Sequence, residues 1–219
     1  MLTLHTADLL LPVGGEPVPG GAVLVDGDRI AAFGLREELT AGHPAARVRA
    51  WPGVLTPGLR QWHAVWLLRR CYFPDPREAG ELGTEMLRPE SLGDLAAELE
   101  RDPGRRAGSV RRGLQQMLRH GTTAVAIRAG DPLLAAPAAR LGLEAVSYVG
   151  GPGILLDGPS LDPFVEGHDL AGSVHRPLTP GGRADFAVFD APDEAALLER
   201  GAACCMATVL AGRLVHRRR

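Results

Sequence analysis

The sequence predicts an α/β protein: a middle α/β region flanked by two β-rich ends that come together as one small domain. Three observations carry this reading. The first 55 residues and the stretch after 176 run in short apolar segments broken by Gly and Pro, the pattern of short strands and turns. Residues 91–118 change to the 3.6-residue period of helices. A strand, a helix and a strand then follow within about thirty residues, which describes a βαβ unit with a right-handed crossover.

At the N-terminus the strands are MLTLHTADLLL, GGAVLVDGDRIAAFG and AARVRAWPGVL. In the second, Val23 and Val25 alternate with Leu24, and Asp26, Gly27 and Asp28 supply a hairpin turn before Arg29, Ile30 and Ala31 return. Pro12, Gly14, Gly15, Pro17, Pro19 and Gly20 make a loop between the first two strands. At the other end, ADFAVFD at 184–190 is one strand, and CCMATVLAGRLVHR closes with a pair turned at Ala211 and Gly212. Strands this short are not stable alone, so the two ends are expected to share one sheet or sandwich. The expected domains are a composite β domain from 1–55 and 176–219, and an α/β domain from 56–175.

Within the middle, Ser91 can cap a helix with Asp94 three residues on, and Leu92, Leu95, Ala96 and Leu99 form its apolar face. In SVRRGLQQMLRHG, Ser109 is the expected cap, Val110, Leu114, Met117 and Leu118 the apolar face, and Gly121 the left-handed stop. TTAVAIRA reads as a strand and DPLLAAPAARLG as a helix opened by Asp131 and Pro132, although Pro137 works against it. LEAVSYVG reads as the next strand.

Composition removes several functions. The 24 basic residues are all Arg, so no lysine is present for a Schiff base, a pyridoxal phosphate linkage or a P-loop. They are set against 26 acidic residues with no one-signed face, which excludes a nucleic-acid footprint; the closing His216–Arg219 reads as a solvated tail. Cys71, Cys204 and Cys205 form neither a disulfide framework nor a C-x-x-C metal pair, which fits a reduced cytosol. With no leader pattern and no apolar run of about 18 residues, a cytoplasmic protein without membrane attachment is expected.

Residues 56–65, TPGLRQWHAV, place Pro57, Gly58 and Leu59 before His63, and GTTAV follows at 121–125. LTPGGRADFAVFD carries Gly182, Ala184 and Asp185, and VLAGRLV carries Gly212 and Arg213. In this order the motifs resemble the amidohydrolase superfamily, nearest its imidazolonepropionase and aminofutalosine deaminase branch. The resemblance implies a TIM-type barrel joined to a composite β-sandwich, and a Zn or Fe ion that activates water against carbon-nitrogen bonds other than peptide bonds. It also places His63 at the first position of the family's His-x-His metal pair on the first barrel strand. Val65 stands where the second histidine belongs. Residues two apart on a strand face one side and grip an ion together, whereas His63 alone supplies a single nitrogen. Residues 56–175 leave room for about four βα units, where a closed barrel of about 250 residues takes eight. The expected fold is therefore a partial, truncated TIM-type region that has lost most metal ligands.

Other candidates have plainer readings. His168 and Asp169 can form an acid-base pair, but adjacent residues in a turn seldom converge, and local capping is the simpler role. His120 helps neutralise a helix end, and His5, His43 and His175 lack partners at ligand spacing. Gly150, Gly151 and Gly153 follow a strand without the pattern or lysine of a phosphate loop. Glu81 and Glu85 read as surface charges. Trp62, Trp66, Tyr72 and Phe73 flank His63 and read as core, with an apolar pocket as the alternative.

The reading is a degenerate, catalytically impaired amidohydrolase-like protein, a pseudoenzyme that acts as a binding or subunit partner. Its partner would be a second copy or a full-length amidohydrolase relative, because an opened sheet must be covered. The alternative is a metal-dependent hydrolase of a cyclic amide or amidine, with Zn or Fe held by His63 together with His168, His175 or donors from another chain.

Overall fold

The computed structural model describes residues 2–128, 130–147, 158–165 and 168–218. In chain order the elements are β1 (Leu2–Thr6), β2 (Leu9–Leu10), β3 (Val18–Pro19), β4 (Gly21–Asp26), β5 (Arg29–Leu35), α1 (Arg36–Gly42), β6 (Arg47–Ala50), β7 (Val54–Pro57) and β8 (Leu59–Gln61). Then come α2 (Ala64–Arg70), α3 (Ala79–Leu82), α4 (Leu95–Arg101), α5 (Pro103–Leu118), β9 (Thr122–Ile127), α6 (Ala135–Leu141) and β10 (Glu144–Ser147). The chain closes with α7 (Leu170–Ser173), β11 (Phe186–Phe189), α8 (Glu194–Arg200), β12 (Cys205–Leu210) and β13 (Arg213–Arg217). No helix among the described residues is long and apolar enough to cross a membrane.

The sheets have the orders β5-β4-β1-β6, β13-β12-β11-β7-β2-β3 and β10-β9-β8. The chain divides into two compact units. One holds 1–60, 118–124 and 162–219, the other 61–117 and 125–161. In the first unit the two ends of the chain share the six-stranded sheet, because β7 pairs antiparallel with β11, Leu55 facing Val188. This is the sharing expected from strands too short to stand alone.

Backbone chemistry explains why Pro57 is tolerated inside this sheet. Gly58 N–H donates to the Asp185 carbonyl at 3.1 Å. Antiparallel pairs alternate between bonded and non-bonded, so Pro57 and Phe186 fall in a non-bonded pair, where a missing N–H costs nothing toward β11. On its other side β7 runs parallel to β2, which has ended by Leu10. Gly53, just before β7, has φ +76°, and a Cβ there would overlap the Phe189 carbonyl oxygen.

Both faces of the six-stranded sheet are covered. Leu55, Phe186, Val188, Ala207 and Val209 pack with Val23, Val25 and Ile30 of the four-stranded sheet. Val54, Ala187, Phe189 and Cys205 pack on the other side with Phe164, Leu170, Val174 and Leu197. That is why Phe186–Phe189 is buried at every position instead of alternating. Each such aromatic or aliphatic side chain contributes about 1.5–3 kcal/mol on burial. The expected hairpins are present: β4 and β5 meet at Asp26 and Arg29 around Gly27 (φ +59°), and β12 and β13 turn at Ala211 and Gly212, both with positive φ.

Three expectations about helix starts are corrected. Ser91 ends a 3-10 turn and Asp94 is the N-cap of α4; Leu92, Leu95 and Leu99 are buried, while Ala96 is exposed. Ser109 lies inside α5, which begins six residues earlier, and its buried Oγ accepts the Phe73 N–H at 2.9 Å. α6 begins at Ala135, so Pro137 sits in the first turn, where its missing N–H has no intrahelical partner to lose. Asp131 Oδ1 accepts from Leu133 and Leu134 N–H just before it, and Gly142 closes it at φ +84°. Helix α8 was not anticipated, although Asp193 caps it by accepting from Ala196 N–H at 2.8 Å.

His5 does have a partner. Trp51 Nε1–H donates to His5 Nδ1 at 3.2 Å, and Phe186 meets the imidazole edge-on at 4.9 Å. Burial first, and the Arg49 charge second, lower the His5 pKa from 6.5 to about 4. The unfolded chain therefore takes up this proton at a higher pH than the folded one. Stability from this group is full above 6.5 and falls as the pH drops toward 4. Urea titrations at several pH values should show the wild type losing up to about 3 kcal/mol more than His5→Gln over that window. Gly53→Ala should destabilise by about 2 kcal/mol or more in the same assay, since it adds both strain and overlap.

Candidate functional site

Strand β8 ends at Gln61, and the backbone turns through Trp62 into α2. His63 is the N-cap of that helix, at φ −83° and ψ 8°, and not a strand residue as the family pattern implies. Val65 is therefore the second residue of α2. Positions two apart on a helix point about 200° apart, so 63 and 65 could not share an ion in this conformation.

His63 is 2% exposed and Gln61 1%. His63 N–H donates to Gln61 Oε1 at 2.8 Å, and Gln61 Nε2 donates to the Leu161 carbonyl at 2.9 Å. Ser160 N–H donates to His63 Nδ1 at 3.2 Å. The two side chains together hold the backbone at 160–161. An Nδ1 that accepts a proton-bearing amide must be unprotonated, which puts the neutral ring's proton on Nε2. The Nδ1 lone pair is spent on the Ser160 amide.

Among the described residues, no three of His, Cys, Asp and Glu come together as a metal-binding group. Among the described residues, the groups bonded to His63 are an amide side chain and backbone, a donor set that does not fit the Zn or Fe site that the resemblance implies. The other histidines are dispersed. Asp169 Oδ1 caps α7 through Gly172 N–H at 2.6 Å, which is the local role expected beside His168. Arg176 donates to His175 Nε2 at 2.8 Å, and His43 closes α1 through its N–H to the Leu39 carbonyl. His120 follows α5 by two residues. Glu81 and Glu85 are exposed. Gly150, Gly151 and Gly153 lie outside the described residues.

The aromatic residues around His63 separate. Tyr72 and Phe73 are buried in core packing, Tyr72 with Leu92, Leu95 and Leu99, and Phe73 against Gly113, where no Cβ would fit. Trp62 and Trp66 are half-buried, and the Arg70 guanidinium lies 5.5 Å from the Trp66 ring centre.

A network that sequence reasoning missed lies nearby in the chain. Tyr72 O–H donates to Glu78 Oε2 at 2.6 Å, while Arg105 Nε donates to Glu78 Oε1 at 2.9 Å and to the Tyr72 oxygen at 3.1 Å. Asp75 and Glu78 form a reciprocal capping box with Pro76 at the first position. Asp75-Pro76-x-Glu78 was a legible signature of it. Burial pushes the Glu78 carboxyl up, but bonds from Tyr72 and the Asp75 N–H, with the Arg105 charge, outweigh it and hold the pKa below the usual range. These groups satisfy one another, which makes the network a clamp between the 72–78 segment and α5.

Two measurements check this geometry. Long-range proton-nitrogen NMR should find His63 neutral with its proton on Nε2, and His63→Phe should weaken hydrogen-exchange protection of the Ser160 amide. Tyr72→Phe should cost about 1–2 kcal/mol in urea denaturation, as expected when a charged partner loses a buried bond.

Residues 21–46 match the imidazolonepropionase-like composite domain of bacteria. The resemblance read from the motifs is borne out by this match, which covers β4, β5 and α1. No curated protein matches the chain. Solved structures similar to it include the ochratoxinase of A. niger, 21% identical over 67% of this chain and 31% of that one, with a TM-score of 0.44. E. coli guanine deaminase is 16% identical over 72% of this chain and 39% of that one, with a TM-score of 0.44. Helicobacter pylori aminofutalosine deaminase is 17% identical over 57% and 27%, with a TM-score of 0.36. The chain thus spans 27% to 39% of the length of these three proteins.

Proposed function

We propose that this chain is a degenerate amidohydrolase-like protein, impaired in catalysis and acting as a binding or subunit partner. The observation that carries the reading is the engagement of His63. Its Nδ1 accepts a backbone amide and its backbone is tied to Gln61, so the residue at the first metal-histidine position works as a structural pin. In this reading residues 1–55 and 176–219 make the composite β-sandwich, and 56–175 a partial TIM-type region. The single core drawn from the four- and six-stranded sheets supports the sandwich. An incomplete barrel leaves strand edges that a second copy, or a full-length amidohydrolase relative, would cover in the cytoplasm.

The competing reading is hydrolysis of a cyclic amide or amidine on Zn or Fe, with His63 joined by His168, His175 or donors from another chain. Both are tested on protein purified in the presence of zinc or ferrous iron, by elemental analysis, light scattering and turnover of cyclic amides and amidines. The expected result is substoichiometric metal, an assembly larger than one chain, and turnover no different between wild type and His63→Ala. One tightly held metal per chain, lost with activity in His63→Ala, would overturn the proposal.

A further inference from the structure

Strand β6 is an outer strand of the four-stranded sheet, and among the described residues it pairs only with β1. Trp51 N–H donates to the Thr6 carbonyl at 2.9 Å, which continues that ladder one residue beyond β6. Backbone groups alternate along a strand, so Arg47, Arg49 and Trp51 turn theirs toward β1, while Val48 and Ala50 turn theirs outward. Both Val48 and Ala50 are exposed, Val48 at 55%, the more exposed of the two large apolar side chains that face solvent among the described residues.

The side chains add charge to this open edge. Arg47 and Arg49 alternate onto the face that carries His5, since they sit opposite Thr3 and His5 in the β1 ladder. Arg217, from β13, brings a third guanidinium to within 5.6 Å of the Trp51 ring centre. None of the three forms an ion pair among the described residues. No carboxylate of the described residues is therefore paired with any of these three guanidiniums. A second copy of β6 laid against the first would bring arginines against arginines, so these charges guard the edge against self-pairing.

We propose that the free edge of β6 accepts an extended acidic segment of a partner polypeptide as an added strand. The segment would carry carboxylates at the alternate positions facing Arg47 and Arg49, with Arg217 beside them, and an apolar residue between them facing Val48. Main-chain bonds to Val48 and Ala50 would supply affinity, and the arginines would supply selection. This rests on the binding role proposed above and adds to the barrel edges a second surface, in the composite β domain. Its test reads β6 alone, so it can fail while the His63 reading stands, and the reverse.

The experiment uses the full chain and a labelled peptide of sequence Glu-Val-Glu-Val-Glu, followed by fluorescence anisotropy. The peptide should bind in low salt and weaken as salt rises. Methylating its alternate backbone nitrogens should abolish binding, because a strand can no longer be added. Arg47→Glu with Arg49→Glu should lower affinity by about tenfold or more and admit the Lys-Val-Lys-Val-Lys counterpart. Circular dichroism and a melting curve confirm that the double variant is folded. As a second route, Val48→Pro, which removes an outward N–H, should weaken the peptide while leaving the arginines in place. Equal binding of the methylated peptide, of polyglutamate or of heparin would overturn the proposal by showing charge attraction without strand addition. So would no binding of the peptide to folded wild type.

Discussion

The pairing of β7 with β11 is the constraint on which the first unit depends. It closes a loop of more than a hundred residues, and closing a loop of that length costs several kcal/mol of chain entropy before any contact repays it. What repays it is a sheet covered on both faces, with Leu55 and Val188 in one core and Val54, Ala187 and Phe189 in another. Pro57 and Gly53 fit this pairing closely. One falls where no N–H is needed, and the other where no Cβ has room.

His63 shows how a local conformation decides chemistry. The residue type suits a metal, and its place after a Pro-Gly turn resembles the position of a ligand. Two turns of backbone logic change its role: the strand ends at Gln61, and the helix begins at Ala64. At the junction the imidazole meets a backbone amide, and the neighbouring glutamine meets a backbone carbonyl. The same lesson applies to Asp169, a carboxylate that looks like an acid-base candidate beside His168 in sequence and is spent on a helix start.

Much of the fold was legible because its signals are local. The Asp-Gly hairpin, the Ala211-Gly212 turn, the leucine face of α4 and the sharing of a sheet by both ends follow from period, turn chemistry and strand length. Helix starts were less legible. Ser109 looks like a cap in isolation, but tertiary packing extends α5 by six residues and gives its hydroxyl to Phe73. The site was the least legible part. The bond from Ser160 to His63 spans 97 positions, and no pattern of residue types announces a contact between a side chain and a distant backbone amide. The Tyr72-Glu78-Arg105 clamp lies between: its capping box is written in Asp75-Pro76-x-Glu78, while the reach of Arg105 is not.

The most direct test of this account is native-state hydrogen exchange at Thr56 and Ala187, whose amides face each other in a bonded pair of the β7–β11 ladder. Both should exchange only by global unfolding of their unit, with the same free energy and the same dependence on denaturant. If Ala187 opens readily while Thr56 stays protected, the two ends of the chain do not fold as one sheet and the account fails.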